Sequence, residues 1–317
     1  MLVDLSLEEL WKYKPDQKRE GDFGLFWKET LKQASQPLNA ELIKLDYIIS
    51  DIKVYKIYYD GFENSRICCF YLLPPKKGPH PAIIWFHGYG GSKGDISFYL
   101  KWVLLGYAVL AVDIKGQSGE SADLNTYPPP SVPGYMTKGI FDRGKYYYRG
   151  VYMDCVRAIN FLAGRKEIDS TRICVTGASQ GGGLSLAAAA LSPRPKLVIA
   201  DMPYLCHFRR AVIWAEESKN ITYQELMTMI QKYPHREEEL HRVLSYFDNL
   251  NLSSWIKAKT VVTCATRDTV CPPSTIFAVY NHIGSDKIME VLPYYGHDRS
   301  AILAFDEKRL AYIKEFL

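Results

Sequence analysis

Arg172-Ile173-Cys174-Val175-Thr176-Gly177-Ala178-Ser179-Gln180-Gly181-Gly182-Gly183-Leu184 is the stretch on which the reading of this chain turns. Residues 172–176 form a short, mostly apolar run, the pattern of a strand buried on both faces. From 183 to 191 small and apolar residues follow without a break, as in a buried helix. Between the two lies a Gly-x-Ser-x-Gly turn, Gly177 to Gly181. Such a turn takes the chain sharply from strand to helix and lifts the serine hydroxyl above the sheet, with glycines where a Cβ would clash. The helix start just beyond it offers free backbone N–H groups to a developing negative charge. A bare pentapeptide of this kind also reads as a Gly-rich turn with a capping serine. The strand before it and the helix after it are what give the sharper reading weight.

Working outward, residues 82–86, 108–112, 197–200, 260–265 and 287–292 are further short apolar runs of strand character, and 54–59 and 67–73 precede them. Helical patterns at 97–105, 152–163, 182–191 and 273–282 fall between these strands. That alternation predicts an α/β fold, a mostly parallel central sheet with helices on both faces. Two stretches interrupt it. Residues 118–150 are long and rich in Gly, Pro and Tyr, too long for an idle connection. Residues 202–257 carry helical patterns and no strand, which predicts a small helical cap over one end of the sheet. Amphipathic spacing within 7–35 predicts one or two helices in an N-terminal helical arm, residues 1–48. The whole chain, 1–317, is expected to be a single domain.

A serine needs a base to take its proton and a third group to orient that base. Asp268 follows strand 260–265, in Thr266-Arg267-Asp268-Thr269-Val270-Cys271-Pro272-Pro273. His297 follows the next strand, in Tyr295-Gly296-His297-Asp298. Both occupy loops after strands, the sheet edge at which sites assemble, and the order Ser, Asp, His suits a nucleophile–acid–base set. Asp201 also ends a strand and is the competing acid; Asp298 is a weaker rival. His207, His235 and His241 fall in the helical stretch and are expected at the surface or an interface. The loop His87-Gly88-Tyr89-Gly90-Gly91, after strand 82–86, is the place for a second oxyanion donor. The N–H groups of Tyr89 and Gln180 form the natural pair, and Tyr89 is the candidate substrate contact. Cys271 lies close to Asp268 but lacks the elbow placement of Ser179.

Composition bounds the alternatives. With 317 residues, 47% hydrophobic and 23% charged, the chain is an ordinary globular mixture rather than a disordered one. A net charge of +4, evenly spread, argues against nucleic-acid binding, although residues 143–149 combine aromatic and basic side chains. The longest apolar run, 102–112, falls short of the ~18 residues a membrane helix needs. Met1-Leu2-Val3-Asp4 lacks the basic start and apolar stretch of a secretory signal, and the odd count of seven cysteines suits reduced thiols. Both point to the cytoplasm. No C-x-x-C occurs and the histidines are scattered, so neither a metal nor an organic cofactor is expected.

Several segments go beyond the generic pattern. Ser179-Gln180-Gly181-Gly182-Gly183, Pro272-Pro273-Ser274-Thr275, Leu205-Cys206-His207-Phe208-Arg209-Arg210-Ala211 and Tyr135-Met136-Thr137-Lys138-Gly139-Ile140 resemble the acetyl xylan esterase / cephalosporin-C deacetylase family, carbohydrate esterase family seven. The opening Asp4-Leu5-Ser6-Leu7-Glu8-Glu9-Leu10 fits as well, so the resemblance spans nearly the whole chain. It implies an α/β-hydrolase fold and a serine esterase that removes acetyl groups from short xylo-oligosaccharides and from cephalosporin C, without a cofactor. It places the triad on Ser179, Asp268 and His297 and the oxyanion donors on Tyr89 and Gln180. It also implies a homohexamer, a trimer of dimers with 118–150 as an interface element. Two positions depart from the family pattern. Lys115-Gly116-Gln117 stands where the family has Arg-Gly-Gln, and His297-Asp298 where it has His-Glu. A lysine cannot reproduce a planar, bidentate guanidinium contact. Rival readings are a lipase, a short-chain carboxylesterase or a prolyl-oligopeptidase-like peptidase on the same fold. A non-catalytic binding protein is a further rival, which the complete set of Ser, Asp and His disfavours.

Overall fold

The computed structural model describes residues 4–218 and 223–317. In chain order the strands are β1 (Glu41–Leu45), β2 (Lys53–Asp60), β3 (Ser65–Leu73), β4 (His80–Phe86), β5 (Ala108–Val112), β6 (Ala122–Asp123), β7 (Ile168–Ala178), β8 (Leu197–Asp201), β9 (Lys259–Ala265) and β10 (Lys287–Leu292). The α-helices are α1 (Leu7–Lys12), α2 (Phe23–Gln33), α3 (Leu100–Leu104), α4 (Tyr147–Ala163), α5 (Gln180–Leu191), α6 (Phe208–Ser218), α7 (Gln224–Lys232), α8 (Glu237–Ser245), α9 (Asn249–Leu252), α10 (Pro273–His282) and α11 (Arg299–Phe316). One ten-stranded sheet runs β1-β2-β3-β5-β4-β7-β8-β9-β10, with β6 paired to β3. The path from β5 to β10 is parallel, and β1, β2 and β3 form an antiparallel flank.

The continuous apolar runs become the strands covered on both sides. Every residue of β5 and β8 is buried. Their side chains divide by alternation. Ile83, Trp85, Val109 and Ala111 face a core completed by Trp102 of α3 and by Phe305 and Ile313 of α11. Ala82, Ile84, Leu110 and Val112 face the opposite core, built on α4, α5 and α10. A helix apolar all round belongs inside a protein, and α5 is buried along nearly its whole length. Helices thus cover both faces, as the alternation of the sequence predicts.

Four features differ from the sequence reading. Residues 41–45, inside the expected helical arm, form strand β1, whose residues are exposed or half-buried. It is an edge strand with little apolar pattern to announce it. Helix α4 begins at Tyr147 rather than 152, and Tyr146, Tyr147 and Tyr148 are buried within this chain's own core. The three tyrosines of 143–149 therefore pack internally, while Lys145 stays exposed and Arg143 half-buried. Helix α11 has no counterpart in the sequence reading. Its buried residues are Ala301, Phe305, Arg309 and Ile313, a stripe of four-residue period interrupted by an arginine. His241, expected at the surface or an interface, is buried, His207 is half-buried against the Tyr13 hydroxyl at 3.1 Å, and His235 is exposed.

Between β8 and β9 the described residues are helical, from α6 to α9, with no strand among them. The N-terminal helices are tied to this insertion and to the loop after β9. Trp27 Nε1 donates to the Tyr246 carbonyl at 3.0 Å. The Asp4 carboxylate accepts from Arg210 and from the Ser274 amide, both at 2.8 Å. Cys68, Cys69, Cys155, Cys174, Cys206, Cys264 and Cys271 are all buried and unbridged. Among the described residues no helix is long and apolar enough to cross a membrane.

Candidate active site

Parallel pairing brings the carboxyl ends of five strands to one edge. Phe86 of β4 pairs with Gly177 of β7, Ala178 with Asp201 of β8, Asp201 with Thr263 of β9, and Ala265 with Leu292 of β10. The loops that leave this edge carry Tyr89, Ser179, Asp268 and His297. Open parallel sheets assemble their sites at that edge.

Ser179 sits at φ +56°, ψ −119°, a conformation a non-glycine residue holds only when its surroundings enforce it. The enforcement is visible. The Ser179 amide donates to the Asp201 carbonyl at 2.8 Å, and the Ser179 carbonyl accepts from Gly183 at 3.0 Å and Tyr204 at 2.9 Å. A Cβ at either Gly177 or Gly181 would overlap the Phe86 carbonyl of the neighbouring strand. Only glycine allows β4 to pass that close, which explains both glycines of the motif. The Ser179 hydroxyl lies beside the Cys271 thiol and lowers that thiol's pKa against the larger, opposing effect of burial.

Asp268 and His297 meet as the sequence predicts. His297 Nδ1 lies 2.7 Å from Asp268 Oδ2, with the aspartate fully buried and the imidazole side chain 17% exposed. The other carboxylate oxygen accepts the amides of Val270 at 2.8 Å and Cys271 at 2.7 Å, so the acid is fixed in place. Its loop is pinned to the histidine loop, because Arg267 N donates to the Tyr295 carbonyl at 2.8 Å. Neither rival acid is available. Asp201 is buried and paired with Arg309 at 2.5 Å. Asp298 is the N-cap of α11, accepting from Ser300 at 2.8 Å and Ala301 at 3.2 Å. The Ser300 hydroxyl is the main cause that holds its carboxyl below the usual range. Cys271 completes the cluster, and burial pushes its thiol well above the ordinary range. Such a thiol is a poor nucleophile, since the thiolate is the reactive form.

The loop after β4 is braced by residues whose importance the sequence does not announce. His87 is buried; Ile114 N donates to its Nε2 at 2.9 Å, which leaves the ring proton on Nδ1, 2.7 Å from the Gly88 carbonyl. Burial lowers its pKa, so it stays neutral and acts as a brace rather than a base. Gln117 bridges the two loops that carry the expected oxyanion donors. Its Oε1 accepts from Gly90 N at 2.8 Å, and its Nε2 donates to Gln180 Oε1 at 3.0 Å. Tyr148 OH reaches the same Gln180 oxygen at 2.9 Å. The amides of Tyr89 and Gln180 have no acceptor among the described residues.

Lys115, where the resemblance implies an arginine, leaves a gap in its ion pair. Lys115 is buried, donates to Ser65 Oγ at 3.0 Å and stands 3.7 Å from Asp154 Oδ2. That carboxylate oxygen has no hydrogen-bond partner among the described residues. Burial raises the Asp154 pKa to about 6 against the opposing pull of Lys115. A guanidinium could span that gap with a second N–H; an ammonium does not.

Asp268, Cys271 and His297 place donor atoms within 4.8 Å of one another, as do Cys68, Asp113 and Glu120. In the first group the acid and the imidazole already bond to each other. In the second, Lys93 lies between the carboxylates, 2.5 Å from Asp113 and 2.9 Å from Glu120.

A strained serine at a strand-to-helix elbow, above a sheet of this order, places the chain among the α/β-hydrolases. Within that class, a model of the acetyl xylan esterase (AXE1) family matches residues 1–316. The chain belongs to this family. It is 30% identical over 301 residues to acetyl esterase Axe7A of Xylanibacter ruminicola, covering 90% of this chain and 65% of that relative's length. Among solved structures, the acetyl xylan esterase from Paenibacillus sp. R4 superposes with a TM-score of 0.94 at 40% identity, covering 99% of this chain and all of the other. Acetyl xylan esterase 1 from Thermoanaerobacterium sp. JW/SL YS485 also gives 0.94, at 33% identity and 99% coverage of each chain. The acylaminoacyl peptidase of Pyrococcus horikoshii, at 15% identity and a TM-score of 0.58, shares the fold alone.

Proposed function

We propose that the chain is a serine acetylesterase acting on small acetylated saccharides, and on cephalosporin C, through Ser179, His297 and Asp268. The observation that carries the proposal is the Asp268–His297 pair, 2.7 Å apart, at the sheet edge where Ser179 is held in its strained elbow. With Nδ1 engaged by Asp268, Nε2 is the imidazole nitrogen left to take the serine proton as Oγ attacks the acetyl carbonyl. The N–H groups of Tyr89 and Gln180 hold the tetrahedral oxyanion. The proton on His297 then passes to the departing sugar oxygen, the C–O bond breaks, and an acetyl-serine remains. Water, deprotonated by the same imidazole, attacks it and releases acetate. Family membership and the names of the two close solved structures support the acetyl and xylan parts of this reading.

Acetate release from acetylated xylo-oligosaccharides and from cephalosporin C tests it. Turnover of both, falling steeply from acetyl to butyryl and longer esters, is expected. A preference for long acyl chains would point to a lipase, and cleavage of peptides instead would point to the peptidase rival. The bracing role of Gln117 has its own test. Gln117→Ala removes the link between the two oxyanion loops, and misplacement by about 1 Å costs roughly 10² in rate. A drop in kcat of that order with KM nearly unchanged is expected. A rise in KM at constant kcat would place Gln117 in substrate binding instead.

A further inference from the structure

We propose that Glu225, contributed by the helical insertion, is the positioning residue that sets the place of Tyr89 and thereby the acyl selectivity of the site. The inference rests on the reading of Tyr89 as an oxyanion donor and deepens it. Tyr89 lies on the glycine-rich loop after β4, which by itself gives its side chain no fixed direction. Its hydroxyl is captured from two sides. It donates to Glu225 Oε1, and it accepts from the Tyr135 amide at 2.7 Å. The second carboxylate oxygen of Glu225 accepts the Met136 amide at 2.9 Å. One carboxylate therefore joins three segments distant in sequence: the loop after β4, the long 118–150 segment and α7.

The surroundings are shaped around this contact. Gly134, at φ +122°, lies so close that any Cβ there would overlap the Glu225 carboxylate. The Tyr89 ring packs edge-on against Tyr135 at 5.2 Å and against Tyr204 at 6.1 Å. Tyr204 in turn lies 4.5 Å from Tyr223, the residue before α7, and its amide bonds to the Ser179 carbonyl. The Tyr89 ring thus packs on Tyr204, the residue whose amide helps hold the elbow serine, and Glu225 fixes its hydroxyl there. A half-buried carboxylate is costly to keep away from water. Burial does push the Glu225 pKa up, while Tyr89, the two amides and Lys138 pull it down. This desolvated acid takes no part in the proton transfers assigned to Ser179 and His297, so its position asks for a separate role.

Freed of Glu225, Tyr89 can swing. Its amide then leaves the oxyanion position, and its ring opens space for longer acyl groups. The test compares Glu225→Ala, Glu225→Gln, Tyr89→Phe and the double variant Tyr89→Phe/Glu225→Ala, each checked for an unchanged circular dichroism spectrum. Glu225→Ala is expected to lower kcat on acetyl esters by on the order of 10- to 10²-fold with KM little changed, and to raise the butyryl-to-acetyl ratio. Glu225→Gln keeps the volume and one acceptor, so it should recover part of the loss; it also serves if the alanine variant does not fold. The effects of Tyr89→Phe and Glu225→Ala should be strongly non-additive, because both break one contact.

The rate at which a small organophosphonate labels Ser179 gives a readout that does not depend on the natural ester. It should fall in Glu225→Ala in parallel with kcat. Additive losses, or a shift in melting temperature with acetyl preference and labelling rate intact, would overturn the proposal. If the wild type labels at Ser179 yet ignores acetyl esters, the substrate reading fails. Glu225 is then decided by the labelling rates alone.

Discussion

Ser179→Ala is expected to abolish turnover, with a loss in kcat on the order of 10⁶-fold, the scale seen when the nucleophile of such a set is removed. Alanine keeps the Cβ and therefore the strained backbone, so the fold and the elbow should survive. What remains is an oxyanion pocket and a base with nothing to deprotonate. The Cys271 thiol, a neighbour of the serine hydroxyl, makes the experiment sharper. If the thiol were the nucleophile, Ser179→Ala would be mild and Cys271→Ala would be lethal. Burial holds that thiol protonated, so the opposite order is expected: Cys271→Ala should stay within about tenfold of the wild type, a packing-scale effect. Initial rates of acetate release from the two variants, measured side by side, decide it.

The largest expected effect on stability lies behind the site, at Arg309. Its side chain is fully buried in α11, with one nitrogen 2.5 Å from Asp201 and another 2.9 Å from Asp306. Asp201 is buried too, and its carbonyl takes the Ser179 amide, so the pair supports the elbow from beneath. Removing one partner of a buried pair strands the other, which typically costs about 3–5 kcal/mol. Arg309→Met should lose stability on that scale in urea denaturation. The double variant Arg309→Met/Asp201→Asn should recover much of it, because no charge is left behind.

The pH dependence has a definite sign. Burial already raises the Asp201 pKa to about 6, against about 3.9 for an aspartate in an unfolded chain. Between those values the folded state holds the extra proton, so the contribution of this group to stability falls as pH rises through the window. Without Arg309 the folded pKa moves higher still. The stability deficit of Arg309→Met relative to wild type should therefore be larger at pH 7.5 than at about pH 5. A deficit below about 1 kcal/mol, or one that grows on acidification, would contradict this account.

What was legible in the sequence follows from how local each signal is. The elbow at 177–181 writes its requirement in five consecutive residues, because only glycine fits beside Phe86 on both sides of the serine. The buried strands advertise themselves by continuous apolar runs, and Asp268 and His297 by standing just past such runs. Order and placement favoured their meeting, 2.7 Å apart in the structure, although Asp201 satisfied the same order and stood as the rival acid. Edge strand β1 lacks a buried face, and α11 carries an arginine where an apolar stripe would continue, so periodicity passes over both. The brace residues are the hardest to find. Gln117 meets Gln180 across 63 positions and Tyr89 meets Glu225 across 136, with no local pattern linking them. Tyr146 to Tyr148 read only as part of an aromatic-basic run, because a sequence shows the charges nearby but not the core that receives the rings.

In the proposed reaction Ser179 carries the acetyl group between substrate and water. Mass spectrometry of enzyme quenched in acid during turnover of an acetyl ester tests it most directly. A single acetyl group is expected on the peptide containing Ser179, absent in Ser179→Ala and accumulating in a variant in which deacylation is slowed. An acetyl group on Cys271, or acetate released at an undiminished rate by Ser179→Ala, would contradict it.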